Sequence, residues 1–386
     1  MQRKNIIRVM LLLLVLLNSC TNKNADTIKV INIDMNSVNE TDMNQLFSKI
    51  ELVPLQTTEA SLIANIRRMV FANEFIIISD NKNIISVFDR KGQFISNSKK
   101  RYGQGPEDYG ILMGFTFNEF TKSIDLITPN YLISYDIYFN CINKSKLFTQ
   151  AKISEKDRGL YFENIFALDK DKYLLLPTTI SNDPHRIIFY SKNKQSDIDA
   201  SYADQVISGL TQQVNNIQSY DDSSYSFSPN GFSYYLYTID KKTLELKKKF
   251  KFDFGSHQVK KEDLKHLKGD REKADFLAFS STSPLPLRTF FNKDFIVSQI
   301  KEGKRYSSYF NSGNRPNGLL MKNNLFEGNK RLPFFETLRN NVLYAQINIT
   351  ELDKFIDLKL IDENSLVLLK QLKPDDNPCI VKYYLK

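Results

Sequence analysis

One stretch of the sequence has the residue types of a phosphate-binding loop, namely residues 101–110, RYGQGPEDYG. Glycines at such spacing let a backbone approach a pyrophosphate, which a following helix N-terminus then holds. Here Asp108 stands where the dinucleotide fingerprint needs a third glycine, Glu107 adds a second charge that repels phosphate, and Pro106 interrupts the loop. Residues 111–115, ILMGF, predict a strand, and the Gly-Lys-Ser/Thr of a Walker loop is missing. We therefore interpret this stretch as a connector between strands.

The other residue types that carry chemistry are sparse. The chain has three histidines, His185, His257 and His266, and they do not occupy matching positions of the repeat described below. The sequence contains no HExxH, no GxSxG and no closely spaced cysteine pair. We therefore predict no catalytic residue, no metal ligand and no cofactor, although a site built only from carboxylates stays open.

The N-terminus has the features of an export signal. Arg3, Lys4 and Arg8 precede the apolar run 9–17, which is too short to span a bilayer comfortably, and the run ends at Asn18-Ser19-Cys20. The ending resembles a bacterial lipoprotein signal, which implies cleavage after residue 19 and an acylated Cys20. We predict a signal peptide over 1–19 and an exported protein anchored to a membrane by lipid. An ordinary secretory signal with a chance cysteine is the alternative.

The remaining composition narrows the class of protein. Residues 20–44 are polar and rich in Asn and Asp, which predicts a flexible tether. The formal charge of +9 falls to +6 once the three basic residues of 1–19 are removed, and this mild bias does not indicate nucleic-acid binding. Cys141 and Cys379 could form a disulfide in an oxidising compartment, but the sequence does not show that they meet.

From about residue 45, one strand-rich pattern repeats along the chain. Its clearest copy covers residues 67–96, where four apolar segments alternate with Asn/Asp turns and the turn at 89–92 has glycine where a hairpin needs positive φ. Similar openings recur at Phe115, Phe166 and Phe290, with a weaker one at Ile361-Asp362-Glu363-Asn364 and a degenerate copy within 226–254. Four-stranded units at this spacing predict an all-β, six-bladed β-propeller over 45–386, with antiparallel blades and short helical insertions. A β-sandwich is the competing architecture.

Residues 69–109, which include the segment IISVFDRKGQF and the glycine-rich connector after it, resemble an NHL-type repeat. The whole region 45–386 is similar to the six-bladed β-propeller lipoproteins of Bacteroidetes, on the strength of LVPLQTT at 52–58, the GQGP loop and DDNP before the last strand. This resemblance implies a fold and a location in the cell envelope. It does not imply an activity, because some NHL-like propellers bind and others catalyse.

The alternating strands of a propeller suggest where a ligand would lie. The loops between second and third strands share one face with the connectors between blades, and in the first blade these are residues 79–83 and 101–109. We expect a ligand at this face or at the channel mouth. The candidate ligand-binding residues are Arg67, Arg68, Arg101, Gln104 and Tyr109. Alternatively, the arginines pair with Glu107 and Asp108 and only fix the connector.

These observations favour a non-catalytic binding or scaffold protein of the cell envelope. The predicted partner is an unknown protein, peptide or glycan, with the membrane contacted through the lipid and no nucleic acid involved. A hydrolase or lyase that uses carboxylates or a metal in the central channel is the alternative function.

The two ends of the chain should meet. A propeller must join its first and last blades or leave strand edges exposed. We predict that residues 50–55 complete a blade that the C-terminal segment 380–385 begins. Deletion of 45–57 should then destabilise the whole domain, whereas deletion of 21–44 should cost little.

Overall fold

The computed structural model describes residues 28–147, 162–177, 186–192, 198–201, 217–229, 233–280, 283–323 and 331–386. Within these ranges the chain forms six four-stranded antiparallel blades in a ring, so the predicted six-bladed β-propeller is confirmed. The first antiparallel strand of each blade lines the central channel, and the other strands lie progressively further from it.

Blades 1 to 3 each consist of four consecutive strands, which follow one another from the channel outward. Blade 1 contains Ile66–Phe71, Phe75–Asp80, Ile85–Asp89 and Phe94–Asn97. Blade 2 contains Gly114–Asn118, Ser123–Ile127, Tyr131–Tyr135 and Cys141–Lys146. Blade 3 contains Phe162–Ala167, Lys172–Pro177, Arg186–Ser191 and Ile198–Ser201.

Blades 4 and 6 also use strands from the N-terminal part of the chain. Blade 4 contains Ile217–Ser219, Ser224–Phe227, Tyr235–Asp240 and Leu246–Asp253, with Lys29–Asn32 added in parallel at its outer edge. Blade 5 contains Leu285–Phe291, Phe295–Glu302, Arg305–Ser312 and Arg315–Lys322. Blade 6 contains Phe335–Arg339, Val342–Ile347, Cys379–Leu385 and, outermost, Phe47–Pro54.

The helices are short insertions, as predicted. The α-helices of the described residues are Met43–Leu46, Lys261–Leu264, Gly269–Phe279, Leu352–Phe355 and Glu363–Leu369. Two of them lie in the connection from blade 4 to blade 5, around a small apolar cluster that includes Val259, Leu264 and Leu277.

The core of the molecule is divided among the six contacts between neighbouring blades. Alternate residues of a strand point to opposite faces, so a strand between two blades can be apolar at nearly every position. In the strand Phe75–Asp80, Ile77 packs towards blade 2, whereas Ile76 and Ile78 pack towards blade 6. The unbroken run FIII in the sequence is therefore explained by burial on both faces.

The turn at residues 89–92 has the predicted glycine conformation. Gly92 has φ of +83°, and a Cβ at this position would lie 2.0 Å from the carbonyl oxygen of Pro54. The Gly92 carbonyl accepts a hydrogen bond of 2.8 Å from the Gln56 amide. Only glycine allows the hairpin of blade 1 to approach the end of the N-terminal strand so closely.

The ring closes as predicted. Phe47–Pro54 pairs antiparallel with Cys379–Leu385, and Ile50 lies opposite Tyr383. Glu51 strengthens the pairing because its carboxylate accepts hydrogen bonds from Lys382 Nζ at 2.7 Å and from the Tyr384 hydroxyl at 2.6 Å. The first and last segments of the chain thus belong to one blade.

Residues 28–44 differ from the flexible tether expected for 20–44. They form a strap along the outer edges of blades 4 and 5: Lys29–Asn32 pairs with blade 4, and Asn39 exchanges backbone hydrogen bonds with Leu320 and Lys322 of blade 5. Ile31 and Ile33 are 5% and 3% exposed. Apolar side chains at alternate positions of an otherwise polar segment anchor the strap, while residues 20–27 lie outside the described residues.

One predicted repeat opening is wrong. Residues 361–364 do not begin a blade; Ile361 makes a single bridge to Ile50, and Asp362 caps the helix Glu363–Leu369 by accepting from the Ser365 amide at 2.9 Å. Blade 6 begins instead at Phe335. An Asp side chain can accept hydrogen bonds from backbone amides at a helix N-terminus as readily as in a turn. The Asp-x-x-Ser sequence therefore does not distinguish a helix cap from a repeat opening.

The two cysteines inside the described residues are not bonded to each other. Cys141 is half-buried in blade 2, and Cys379 is buried in blade 6.

Candidate functional site

A cavity of about 680 Å³ occupies the channel and opens at one end of it. Its walls come mainly from the first strands of blades 1, 2, 3, 4 and 6, and its mouth is formed by the turns between the first and second strands of all six blades. These six turns, which we call the rim, are residues 72–74, 119–122, 168–171, 220–223, 292–294 and 340–341. The volume falls within the roughly 300–1,000 Å³ of typical small-ligand sites.

The opening lies at the opposite end from the one that the sequence favours. First strands run towards the rim, so the loops between second and third strands and the connectors between blades emerge at the other end. Among the candidate residues, Arg68 lines the cavity, whereas Arg67, Arg101, Gln104 and Tyr109 do not appear in its lining.

The candidate residues of the connector have structural contacts. Arg101 donates to the Phe139 carbonyl at 2.9 Å and pairs with Glu107 at 2.6 Å, as the alternative interpretation expects. The Tyr109 side chain is buried, and its hydroxyl contacts Ser98 Oγ and donates to the Asn83 carbonyl at 2.8 Å. Burial raises the pKa of Tyr109, which therefore stays a neutral hydrogen-bonding group.

The other three candidates are divided between the two ends. Arg67 is exposed and donates to Asn83 Oδ1 at 3.1 Å, and Gln104 is exposed on the connector. Arg68 is 9% exposed, and its guanidinium carbon lies 5.6 Å from the centre of the Phe115 ring. The structure thus does not bring the five residues together, and a ligand role for them stays a prediction.

Hydrogen bonds connect the neighbouring rim turns of blades 6, 1 and 2. Arg339, at the end of the first strand of blade 6, donates to the Phe71 carbonyl and to Asn73 Oδ1 at 3.0 Å. The Asn73 amide donates in turn to Glu119 Oε1 at 2.6 Å, and Glu119 also pairs with Lys122 at 3.0 Å. Burial lowers the pKa of Arg339 from its ordinary value, and the carbonyl and amide acceptors compensate its lost hydration.

The links continue around the ring. Asn118 donates to the Asp169 carbonyl at 3.1 Å, between blades 2 and 3, and the Phe166 ring packs edge-on against Tyr225 between blades 3 and 4. The Lys293 amide donates to the Tyr220 carbonyl at 3.1 Å, between blades 4 and 5. Asn292 donates to Asn341 at 3.2 Å, between blades 5 and 6. All six junctions are therefore bridged, which gives the cavity a preformed mouth.

The cavity is narrowed by a contact between blades that are not neighbours. Gln218 of blade 4 donates from Nε2 to Thr337 Oγ1 of blade 6 at 3.1 Å. Both residues line the cavity. The hydrogen bond between Gln218 and Thr337 therefore narrows the channel below the rim.

The rim carries charges of both signs. Asp221 is half-buried, which alone would raise its pKa, but hydrogen bonds from Ser224 and Ser223 hold this pKa below its ordinary value. Tyr220 beside it has a raised pKa because of burial and of the nearby Asp221 and Asp294. An ionised carboxylate and a neutral phenol are the stable forms of this pair at neutral pH.

The described residues offer no cluster suited to a metal ion. Within the ranges described above, no group of three or more His, Cys, Asp or Glu side chains is positioned to hold one. His257 contacts Glu302 at 3.0 Å at the edge between blades 4 and 5, away from the cavity lining, and His185 lies outside the described residues.

No spacing rule could have identified the rim from the sequence. Its residues come from six turns separated by dozens of positions, and Arg339 and Tyr220 lie in blades whose first strands carry no clear repeat opening. The one local signal is that Glu119-Phe120 and Asn292-Lys293-Asp294 occupy the same turn in different repeats.

A ring of six blades around a preformed, closed-sided cavity defines the molecule as a six-bladed β-propeller with a ligand-sized channel mouth. The sequence belongs to the family described as a domain of unknown function (DUF4934), which it matches over residues 27–384. The comparison with curated proteins finds no match.

Two solved structures from Bacteroides species are similar to this chain to different degrees. A candidate exported protein of Bacteroides fragilis shares 15% identity, with a TM-score of 0.68 over 93% of this chain and 100% of that one. A Bacteroides caccae protein of unknown function shares 9% identity, with a TM-score of 0.40 over 70% of this chain and 85% of that one. The former comparison supports the propeller fold over nearly the entire chain.

No helix in the described part of the chain is long and apolar enough to cross a membrane.

Proposed function

We propose that this protein is a non-catalytic, cell-envelope binding propeller that holds a peptide, a glycan or part of a partner protein at the rim. The observation that carries the proposal is the cavity of about 680 Å³, whose lining comes from all six blades. A preformed mouth favours binding because little conformational entropy is lost when the ligand is ordered against it.

Two rim carboxylates are better suited to binding than to general-acid catalysis. A general acid needs a pKa raised towards neutrality, whereas the pKa of Asp221 is held low by its serine donors. Glu119 is engaged by Asn73 and Lys122. These groups are suited to accept hydrogen bonds from a ligand or to fix the turns.

Capture of ligands from envelope extract tests the proposal. The immobilised full chain is compared with Asp222→Lys/Asp294→Lys, which reverses two exposed rim charges, and with Gln104→Lys on the opposite face. We expect the rim variant to lose what the wild type retains and the Gln104 variant to keep it. Loss in the Gln104 variant alone would move the site to the connector face.

The NHL-like repeat and the N-terminal sequence support a location as well. We propose an exported lipoprotein whose mature chain begins at an acylated Cys20, with residues 21–27 leading to the strap. Cys20→Ala should release the protein from membranes or block its processing, which fractionation and mass spectrometry of the N-terminus would measure. A variant that is cleaved normally and remains on the membrane contradicts the lipid anchor.

A further inference from the structure

The chemistry of the rim distinguishes among the ligand classes left open by the proposed function. Among the described residues that line the cavity, three are cationic (Arg68, Lys293 and Arg339) and four are anionic (Glu119, Asp221, Asp222 and Asp294). Several of these charges are engaged within the rim, as the contacts of Arg339 and Glu119 show. The mouth therefore has no strong field of one sign, and this disfavours a highly charged ligand.

The same mouth is rich in planar hydrogen-bonding groups. Asn340 and Asn341 contribute amides from blade 6, whereas the Asn292 amide is already bonded within the rim to Asn341 and to the backbone of Asp294 and Phe295. The exposed carboxylates of Asp222 and Asp294 lie in the turns of blades 4 and 5. Amides and carboxylates together offer donors and acceptors in fixed planes. Hydroxyl groups, which donate and accept at once, are the natural complement of such a set.

One aromatic ring stands out in the rim. Phe120 lines the cavity and is 60% exposed, although burial is usual for a phenylalanine. Phe166, Tyr220 and Tyr225 present half-buried rings in the same lining. An exposed ring beside hydrogen-bonding groups can stack on an apolar C–H face while its neighbours bind the polar edge.

The shape of the mouth favours a compact ligand. The rim is bridged at all six junctions, and the contact between Gln218 and Thr337 narrows the channel. A long extended peptide would need an open groove or an unpaired strand edge along its length. A short molecule, or the end of a chain, fits a cavity whose mouth is bounded by all six blades.

We propose that the rim and cavity bind a neutral oligosaccharide end-on, with Phe120 stacked on one sugar ring and the rim amides and carboxylates bonded to its hydroxyls. This inference rests on the proposed function and narrows its ligand class.

Calorimetric titration of the full chain with maltotriose, cellotriose, xylotriose and mannotriose tests the inference. We expect at least one of these to bind with a dissociation constant below about 1 mM. Phe120→Ala should weaken that binding by about tenfold or more through loss of the stacked ring. The matched control is Phe279→Ala, because Phe279 is 78% exposed on the helix Gly269–Phe279 and lies outside the cavity lining.

The outcomes separate this inference from the proposed function. If no trisaccharide binds, or if Phe120→Ala binds as tightly as the wild type, the saccharide site is wrong. If in that case Asp222→Lys/Asp294→Lys still loses a polypeptide captured from envelope extract, the binding function stands with a protein ligand. Equal weakening by Phe279→Ala would also overturn the site, because it would indicate a general effect on folding.

Discussion

At the scale of single residues, buried polar side chains form hydrogen bonds that link neighbouring blades at defined positions. Asp125 of blade 2 is fully buried, and it accepts hydrogen bonds from the Tyr173 hydroxyl of blade 3 at 2.6 Å and from Ser123 at 2.9 Å. Asn118 completes the group because it donates to Asp125 and to the Asp169 carbonyl. Such a network is stable only while every member keeps its partners.

Tyr173→Phe should therefore destabilise the protein although the ring is retained. The loss of one hydroxyl leaves a buried carboxylate oxygen short of a donor, at a cost of about 1–3 kcal/mol in the free energy of unfolding. Chemical denaturation would measure it, with Tyr138→Phe, at a tyrosine 56% exposed, as the control. Equal stability of the two variants would show that the Asp125 network does not hold the blades together.

Some residue roles could be predicted from the sequence and others could not, as Gly92 and the connector residues show. Gly92 was identifiable because positive φ in a hairpin has a local signature, and the structure gives φ of +83°. Arg101 and Tyr109 belong to the connector as predicted. Arg101 pairs with Glu107 and Tyr109 bonds to the Asn83 carbonyl, and both contacts stabilise the fold. Whether an arginine is engaged by its own loop depends on tertiary geometry that spacing does not contain.

At the scale of elements, the closing strand Phe47–Pro54 is held by hydrogen bonds and by one carboxylate. Partial burial alone would raise the pKa of Glu51, but hydrogen bonds from Lys382 and Tyr384 outweigh it and hold this pKa below its ordinary value. A carboxyl with a lowered pKa in the folded state adds stability above its unfolded pKa of about 4.3. That contribution is lost as the pH falls through the folded pKa.

Glu51→Gln should lower the unfolding free energy at pH 7 by about 1 kcal/mol and flatten its decline in acid. Thermal or urea unfolding between pH 3 and pH 7, by about one-unit steps, would follow this. Glu245→Gln is the control, since Glu245 pairs with Lys247 at the surface, where such pairs contribute little. A Glu51 variant with the acid dependence of the wild type would show that the strand is held without the carboxylate.

The strap, residues 28–44, is the element that differs most from its sequence-based prediction. A polar, Asn-rich segment predicts a tether, but Ile31, Ile33 and Met35 are buried against blades 4 and 5. Deletion of residues 28–44 should consequently lower the free energy of unfolding substantially, in contrast to the expectation for a tether.

A single substitution tests the strap more cleanly than a deletion. Ile31→Ala should cost about 2–4 kcal/mol because it removes a buried side chain from the strap and leaves a cavity. Its neighbour Val30 is 49% exposed, so Val30→Ala should cost about 0.5 kcal/mol or less. Similar values for the two variants in urea denaturation would mean that the strap does not contribute to folding stability.

At the scale of the whole molecule, the repeat pattern was sufficient for the architecture and insufficient for the site. Strands buried on both faces have near-continuous apolar runs, and for this reason the segment FIIIS and the similar apolar segments of the other repeats predicted blades. Residues 361–364 resemble a repeat opening although they cap a helix, and blade 6, which begins at Phe335, has Asn340-Asn341 at its first turn in place of the Asn-Glu or Asn-Lys of blades 1, 2 and 5. Which end of the channel opens is a property of all six blades together.

Site-specific photocrosslinking tests the central claim most directly, because it traps whatever ligand lies at the labelled position. Full-length protein with p-benzoylphenylalanine at position 120 of the rim, or at position 104 of the connector, is irradiated with envelope extract and its adducts are analysed by mass spectrometry. The structure predicts an adduct from position 120 and none from position 104. Adducts from position 104 alone, or from neither position, would contradict a binding site at the rim.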